Sequence, residues 1–225
     1  MTQSSRSDRE RILDASRAIL IERGAGGLSV SAVMERAQIS RTAFYRRFND
    51  VTDVVGEMLR EVCADLATHS GAWYVDADAV GRPEMIIPNA TSSGAAIEPH
   101  ARLLCAISDA AGSDERLRAL WWSELLQPRI DATVSAIERD QRVGAVRPDL
   151  DAGRAAFALT LMGERVALEL LGRRGATAEE YARVIGPIWE ALLFDVDQTE
   201  PAARRRNGRD APNKPPTAFD PDRRL

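Results

Sequence analysis

The chain has 225 residues, 44% of them hydrophobic, with a net charge of −4, so it can bury a sizeable core in one large domain or two smaller ones. No stretch approaches the ~18 uninterrupted apolar residues of a membrane helix, and the opening MTQSSRSDRERI has no apolar run of the secretory kind. No membrane partner is expected on that ground, and Cys63 and Cys105, far apart in apolar surroundings, point to buried thiols of a reduced cytoplasm, with a disulfide or redox switch as the alternative.

Charge is unevenly spread. Residues 1–50 carry nine Arg against six acids, residues 51–198 carry 14 Arg against 24 acids, and residues 199–225 carry seven bases against four acids. An acidic body with a basic N-terminal segment suits a protein that meets a polyanion at one end.

Helix signals dominate in chain order, and Ala and Leu are abundant. Ser7 or Asp8 can cap a first helix, with Ile12, Leu13, Ala15, Ile19 and Leu20 as its apolar face and Gly24 ending it. Ser29 can cap a second helix to about Ala37, and Ser40 a third over Arg41–Phe48. A fourth follows from Val51, with Val54, Val55, Met58, Leu59, Val62 and Leu66 at helical spacing. Gly71, Gly81, Pro83, Pro88 and Gly94 punctuate residues 70–96, which read as loop, a short helix near 82–92, then loop. Helices are expected near 98–111, 113–142, 150–172 and 177–195, and no strand alternation is evident. The Pro- and Arg-rich stretch 199–225 reads as a disordered basic tail, with phosphate contact through Arg204–Arg206 and Arg209 as the alternative to a plain solvated end.

The second and third helices, with a turn at Gln38–Ser40 between them, have the layout of a helix-turn-helix. Such units set the second helix in the major groove, its N-terminal residues at base edges. Phe44 and Phe48, one turn apart, fasten that helix to the core and leave Arg41, Thr42, Tyr45 and Arg46 facing outward. Arg pairs bidentately with guanine, Thr meets a thymine methyl or a phosphate, and Tyr holds phosphate. The same residues also describe an ordinary solvated helix face.

The segment SVSAVMERAQISRTAFYRRFNDVTDVV decides between these, because residues 8–60 resemble the N-terminal domain of TetR-type transcriptional regulators. Tyr45 falls at that family's recognition-helix tyrosine. The resemblance implies DNA contacts from Ser40, Arg41, Thr42, Tyr45, Arg46, Arg47 and Thr52. Two departures stand out: the usual turn glycine is Gln38, and the usual phosphate-gripping lysine of the fourth helix is missing around Asn49–Thr52. A left-handed Gln38 costs about 1 kcal/mol relative to Gly. Arg46 and Arg47 are candidates to replace the missing charge.

Within that family, LWWSELLQPRIDATVSAIERDQRVGAV, ALTLMGERVALELL and IGPIWEALLF resemble EthR-like repressors. The likeness implies an all-α protein of about nine helices: a helix-turn-helix domain over 1–50, a connecting helix over 51–70, and a ligand-binding and dimerisation domain over 71–198. The EthR-like pocket's two amide positions fall on Thr160 and Gly163, its tryptophan on Trp189, and its aromatic lining positions on Ile86 and Ser93. Leu126 and Thr133 are expected to line the pocket as well. Trp121, Trp122, Phe157, Met162 and Phe194 are further candidates to surround it that core filling explains equally well. The implied partners are a double-stranded palindromic operator, a small hydrophobic or amphipathic effector, and a second copy joined through the last two helices. Val166, Leu170, Tyr181, Ile185 and Ile188 are candidates for that contact.

Enzymatic chemistry finds little support. His69 and His100 are the two histidines, neither beside a cysteine, and the metal, P-loop and dinucleotide motifs are absent. No cofactor, metal or catalytic residue is expected. The alternative to a repressor is a helical small-molecule- or partner-binding protein without specific DNA activity.

Overall fold

The computed structural model describes residues 7–69, 72–75 and 81–194, so the expected disordered tail lies outside the described residues. Helix α1, Asp8–Arg23, starts in a capping box: Ser7 Oγ accepts from the Glu10 N–H, and Glu10 accepts from the Ser7 N–H at 2.8 Å. Gly24, at φ 67°, ends it. Helices α2, Val30–Ala37, and α3, Arg41–Tyr45, are capped by the Ser29 and Ser40 hydroxyls. The third helix stops short of Phe48, but the chain stays wound, because the Arg47 and Phe48 N–H groups both donate to the Phe44 carbonyl, at 2.9 and 3.1 Å. Asp50 caps α4, Val51–Thr68.

After the single helical turn Ala72–Val75 come α5, Pro83–Ile97, and α6, Ala101–Ala111, joined by a 3-10 turn. Helix α7 runs continuously through Glu115–Leu120, a π-helical stretch Trp121–Leu126, and Gln127–Arg142. Helix α8, Ala152–Ala167, also finishes in a π-helical stretch, Leu168–Arg173, and α9 is Ala178–Leu193. No strand occurs among the described residues.

The expected short helix near 82–92 is corrected: α5 extends to Ile97. Its punctuating residues fit inside a helix. Pro83 sits in the first turn, where no N–H is needed. Gly94 marks close packing on α9, since a Cβ there would come within 3.1 Å of the Ala178 Cα and 2.9 Å of the Tyr181 ring. Gly186 does the reciprocal service on α9, where a Cβ would meet Ile87 at 2.9 Å.

Two apolar clusters hold the molecule together. The first joins α1 to α4 with α6 and the front of α7, through Ile12, Phe44, Met58, Ile107 and Trp121. The second joins the 72–75 turn, α5 and α7 to α9, through Trp73, Ile86, Ile137, Leu159 and Trp189. The first four helices therefore share a core with α6 and the start of α7, and a shift between the clusters bears on α4.

Candidate DNA interface and ligand cavity

The helix-turn-helix is built around its missing glycine. Gln38 adopts φ 52°, ψ 49°, the left-handed conformation, and is the only such non-glycine among the described residues. The Ile39 N–H returns to the Met34 carbonyl at 3.2 Å, closing the Schellman pattern that a glycine usually serves. Arg11 of α1 supports the strained turn, its Nη2 donating to the carbonyls of Ala37 at 2.5 Å and Gln38 at 2.7 Å.

Phe44 is fully buried and stacks near Phe48, ring centroids 6.2 Å apart, while Ser40, Arg41, Thr42, Tyr45, Arg46 and Arg47 are exposed together. The Arg41 guanidinium lies 5.3 Å from the Tyr45 ring centroid, so the two side chains order each other. Arg46 pairs with Asp8 at 3.0 Å on the open surface. Thr52 is placed differently: it is half-buried, and its hydroxyl donates to Asp114 at 3.0 Å. Asp114 caps α7, and the first turn of that helix sends Arg116 back to Asp50 at 2.7 Å and Asp53 at 2.6 Å. The hydrogen bond from Asn49, with help from Arg116, holds the Asp53 carboxyl below the usual range; the Leu117 N–H, with Thr52, does the same for Asp114. The start of α4 is thus tied to the body by a small polar junction.

Between the two apolar clusters lies a largely apolar cavity that opens to solvent. Leu66 of α4, Leu104, Trp121, Leu126 and Leu168 line it from the first cluster; Trp73, Ile86, Leu159, Tyr181, Ile185 and Trp189 line it from the second. Of the residues expected at a pocket, Trp121, Leu126, Thr160, Gly163 and Trp189 lie in its wall, as do Ile86 and Ser93. The small residue at 163 makes room for the Tyr181 hydroxyl, which would sit 3.3 Å from a Cβ at that position.

Five expected residues lie elsewhere, Met162 and Phe194 packed with the second apolar cluster outside the wall. Trp122 and Phe157 are exposed, 39% and 46%, and pack on each other outside the cavity with centroids 6.2 Å apart. One residue's rotation on α7 brings Trp121 inward in place of Trp122, and on α8 Ala156, Leu159 and Thr160 face in while Phe157 faces out. Thr133 is fully buried one turn beyond the cavity wall, its hydroxyl donating to the Arg129 carbonyl at 2.8 Å.

Several wall residues escaped the sequence reading: Trp73, Tyr74, Asn89, Arg129 and Glu164. Asn89 had a signal, because Ile86, Asn89, Ala90, Ser93 and Ile97 share helical spacing once α5 is allowed to continue past Gly94. Trp73 and Tyr74 had none, since a fully buried carboxylate far along the chain holds their turn in place. Asp140 of α7 accepts from Trp73 Nε1 at 2.6 Å and from the Gly81 N–H at 2.8 Å. Burial pushes the Tyr74 hydroxyl up and that of Tyr181 up to about 12, so both remain neutral donors at ordinary pH. Burial also raises Glu164, with Arg165 and Trp121 opposing the shift.

Residues 12–58 match the family model for bacterial regulatory proteins of the tetR family, and residues 91–193 match that for the C-terminal domain of transcriptional regulator EthR. The chain belongs to the TetR family. It is accordingly a DNA-binding transcriptional regulator and not an enzyme. Solved structures of the same fold include a TetR-family regulator from Syntrophomonas wolfei, at 16% identity and TM-score 0.68, covering 82% of this chain and 94% of that one. The fatty acid degradation regulator FadR of Bacillus halodurans aligns at 14% identity and TM-score 0.68, over 84% of this chain and 97% of that one. Salmonella enterica GusR aligns at 18% identity and TM-score 0.68, over 86% and 98%. Identities this low establish a shared fold and leave effector and operator open. No curated protein sequence matches. Among the described residues, no helix of this TetR-family chain is long and apolar enough to cross a membrane, and no group of three or more His, Cys, Asp or Glu is placed to hold a metal ion.

Proposed function

We propose that this regulator is a homodimeric repressor that holds a palindromic operator and releases it when a small hydrophobic or amphipathic molecule enters the cavity. The observation that carries the reading is the reach of the cavity to Leu66 of α4, the helix whose other end is joined to the recognition helix. An occupant that displaces Leu66 tilts α4, and α1 follows through Arg9, which pairs with Glu57 and with Glu61 at 2.9 Å. A coupling of ~1–3 kcal/mol changes operator affinity about 5–150-fold.

In this reading Arg41, Thr42 and Tyr45 meet the major groove, and Ser40, Arg46 and Arg47 meet phosphate. The exposed Arg46–Asp8 pair contributes only ~0–1 kcal/mol, so a phosphate can displace Asp8. Thr52 reaches DNA only if it gives up Asp114. A second copy would dock on α8 and α9, where Phe157, Val184 and Ile188 are 46%, 39% and 48% exposed. Ile188 keeps its expected part in that contact; Leu170, Tyr181 and Ile185 are buried in their own subunit and are withdrawn from it. Two recognition helices would then sit one DNA turn apart, ~34–36 Å.

The test is selection of bound sequences from a random duplex library at near-physiological salt. A motif of two inverted half-sites is expected, and Arg41→Ala should weaken specific binding by about 1–3 kcal/mol without loss of helix content. Binding that depends on salt and not on sequence would overturn the operator; an operator that no apolar compound releases would overturn the switch.

A further inference from the structure

The cavity is apolar over most of its wall, and most of the polar side chains in that wall can donate hydrogen bonds. Thr160 and Trp189 are 5% and 9% exposed, and Thr160 Oγ1, Trp189 Nε1 and Asn89 Nδ2 are buried without a hydrogen-bond partner among the described residues. All three belong to the cavity wall. Buried donors are normally satisfied, so three orphans lining one space mark where a missing acceptor belongs. Arg129 shares that wall. Its guanidinium lies 5.5 Å from the Tyr74 ring centroid, and no carboxylate pairs with it among the described residues. The acidic wall residue, Glu164, is engaged with Trp121 instead.

Resting on the ligand-responsive reading above, we propose that the effector is an anionic amphiphile: an apolar chain ending in a carboxylate or similar compact oxyanion, held by Arg129 with the Asn89, Thr160 and Trp189 donors. A carboxylate offers acceptor lone pairs to several donors at once, and charge-assisted bonds in a low-dielectric wall discriminate strongly against a cation. The chain then lies along the apolar wall that includes Leu66 and Leu168. In this chain Gly163 offers no side-chain donor, and Asn89 of α5 and Arg129 of α7 stand beside Thr160 and Trp189 as anchors.

The experiment titrates the full-length protein with dodecanoate, dodecan-1-ol and dodecyltrimethylammonium, each below its micelle concentration, following tryptophan fluorescence. Dodecanoate should bind about tenfold or more tighter than the other two. Arg129→Leu should abolish that preference while leaving dodecanol affinity within about threefold, and Arg129→Lys should keep it. Trp189→Phe, which removes one N–H and little volume, should weaken dodecanoate more than dodecanol, and it covers the case in which Arg129→Leu fails to fold. Equal binding of the three compounds, or an undiminished preference in Arg129→Leu, overturns the anionic effector and leaves an apolar switch standing. Failure of all three to bind overturns the proposal together with the cavity's role.

Discussion

Asp140→Ala tests whether one buried carboxylate keeps the cavity closed. Asp140 is fully buried, and it accepts from Trp73 at 2.6 Å, Gly81 at 2.8 Å and Arg139 Nε at 3.0 Å. If nothing moved, the two neutral donors would be left unsatisfied at ~1–3 kcal/mol each. Arg139 would not be stranded, since it also donates to the Trp73 carbonyl at 3.2 Å. The chain has a cheaper response, which is to peel the turn away from α7. Exposing an indole loses ~4–6 kcal/mol of apolar burial. Freeing the four residues Ala72–Val75 returns ~1–2 kcal/mol of backbone entropy each. Detachment therefore wins: burial and entropy nearly cancel, and the two lost hydrogen bonds, at ~0.5–1.5 kcal/mol net each, leave a loss of global stability of about 1–3 kcal/mol, below the ~3–5 kcal/mol of a broken buried ion pair. Urea denaturation should show that loss, while iodide quenching shows a newly accessible tryptophan and hydrogen exchange quickens at 72–75. Asp140→Asn should lose less: its carbonyl oxygen can serve Trp73 and Gly81, although its NH₂ then faces Arg139. A stability loss under about 0.5 kcal/mol, or a large loss with Trp73 still shielded, would refute this reasoning.

Three further outcomes follow from the same geometry. Arg116→Ala removes exposed pairs worth ~0–1 kcal/mol, so stability should hardly change, but the effect of an effector on operator affinity should shrink; full coupling in the variant would show that the α4–α7 junction carries none of it. Arg11→Ala withdraws the guanidinium from the carbonyls of the Gln38 turn and should cost about 1–2 kcal/mol and weaken operator binding, read by thermal melts and gel shifts. On acidification, Asp53 and Asp114 act in the direction of depressed carboxylates: their contribution is fully present above the ordinary carboxylate pKa of ~4 and is lost as pH falls through the lower folded values. The denaturation midpoint should be level from about pH 7 to 5 and fall below about pH 4; a midpoint that rises on acidification would contradict the sign.

The local chemistry of the reading head was legible along the chain. Serines at 7, 29 and 40 cap the first three helices because capping needs only a hydroxyl and the next turn's N–H groups. Phe44 lies inside and Tyr45 outside because one residue's rotation separates the two faces. Gln38 was expected to be strained if left-handed, and it is left-handed; its support from Arg11, on a different helix, was not visible. Helix caps and the lack of strand alternation pointed to the all-helical class, and the apolar face of α4 followed from its period. The cavity did not. Whether Trp121 or Trp122 faces inward depends on the rotational setting of α7 against its neighbours, and Gly94 reads as a breaker until α9 is seen pressed against it. Trp73, Asn89 and Arg129 lie far apart in sequence, and they form one wall only because α5, α7 and the turn after α4 converge on the same space. Helix caps and faces are properties of neighbouring residues and are written in their order; a cavity is what packed helices leave unfilled, and only the tertiary structure decides which side chains surround it.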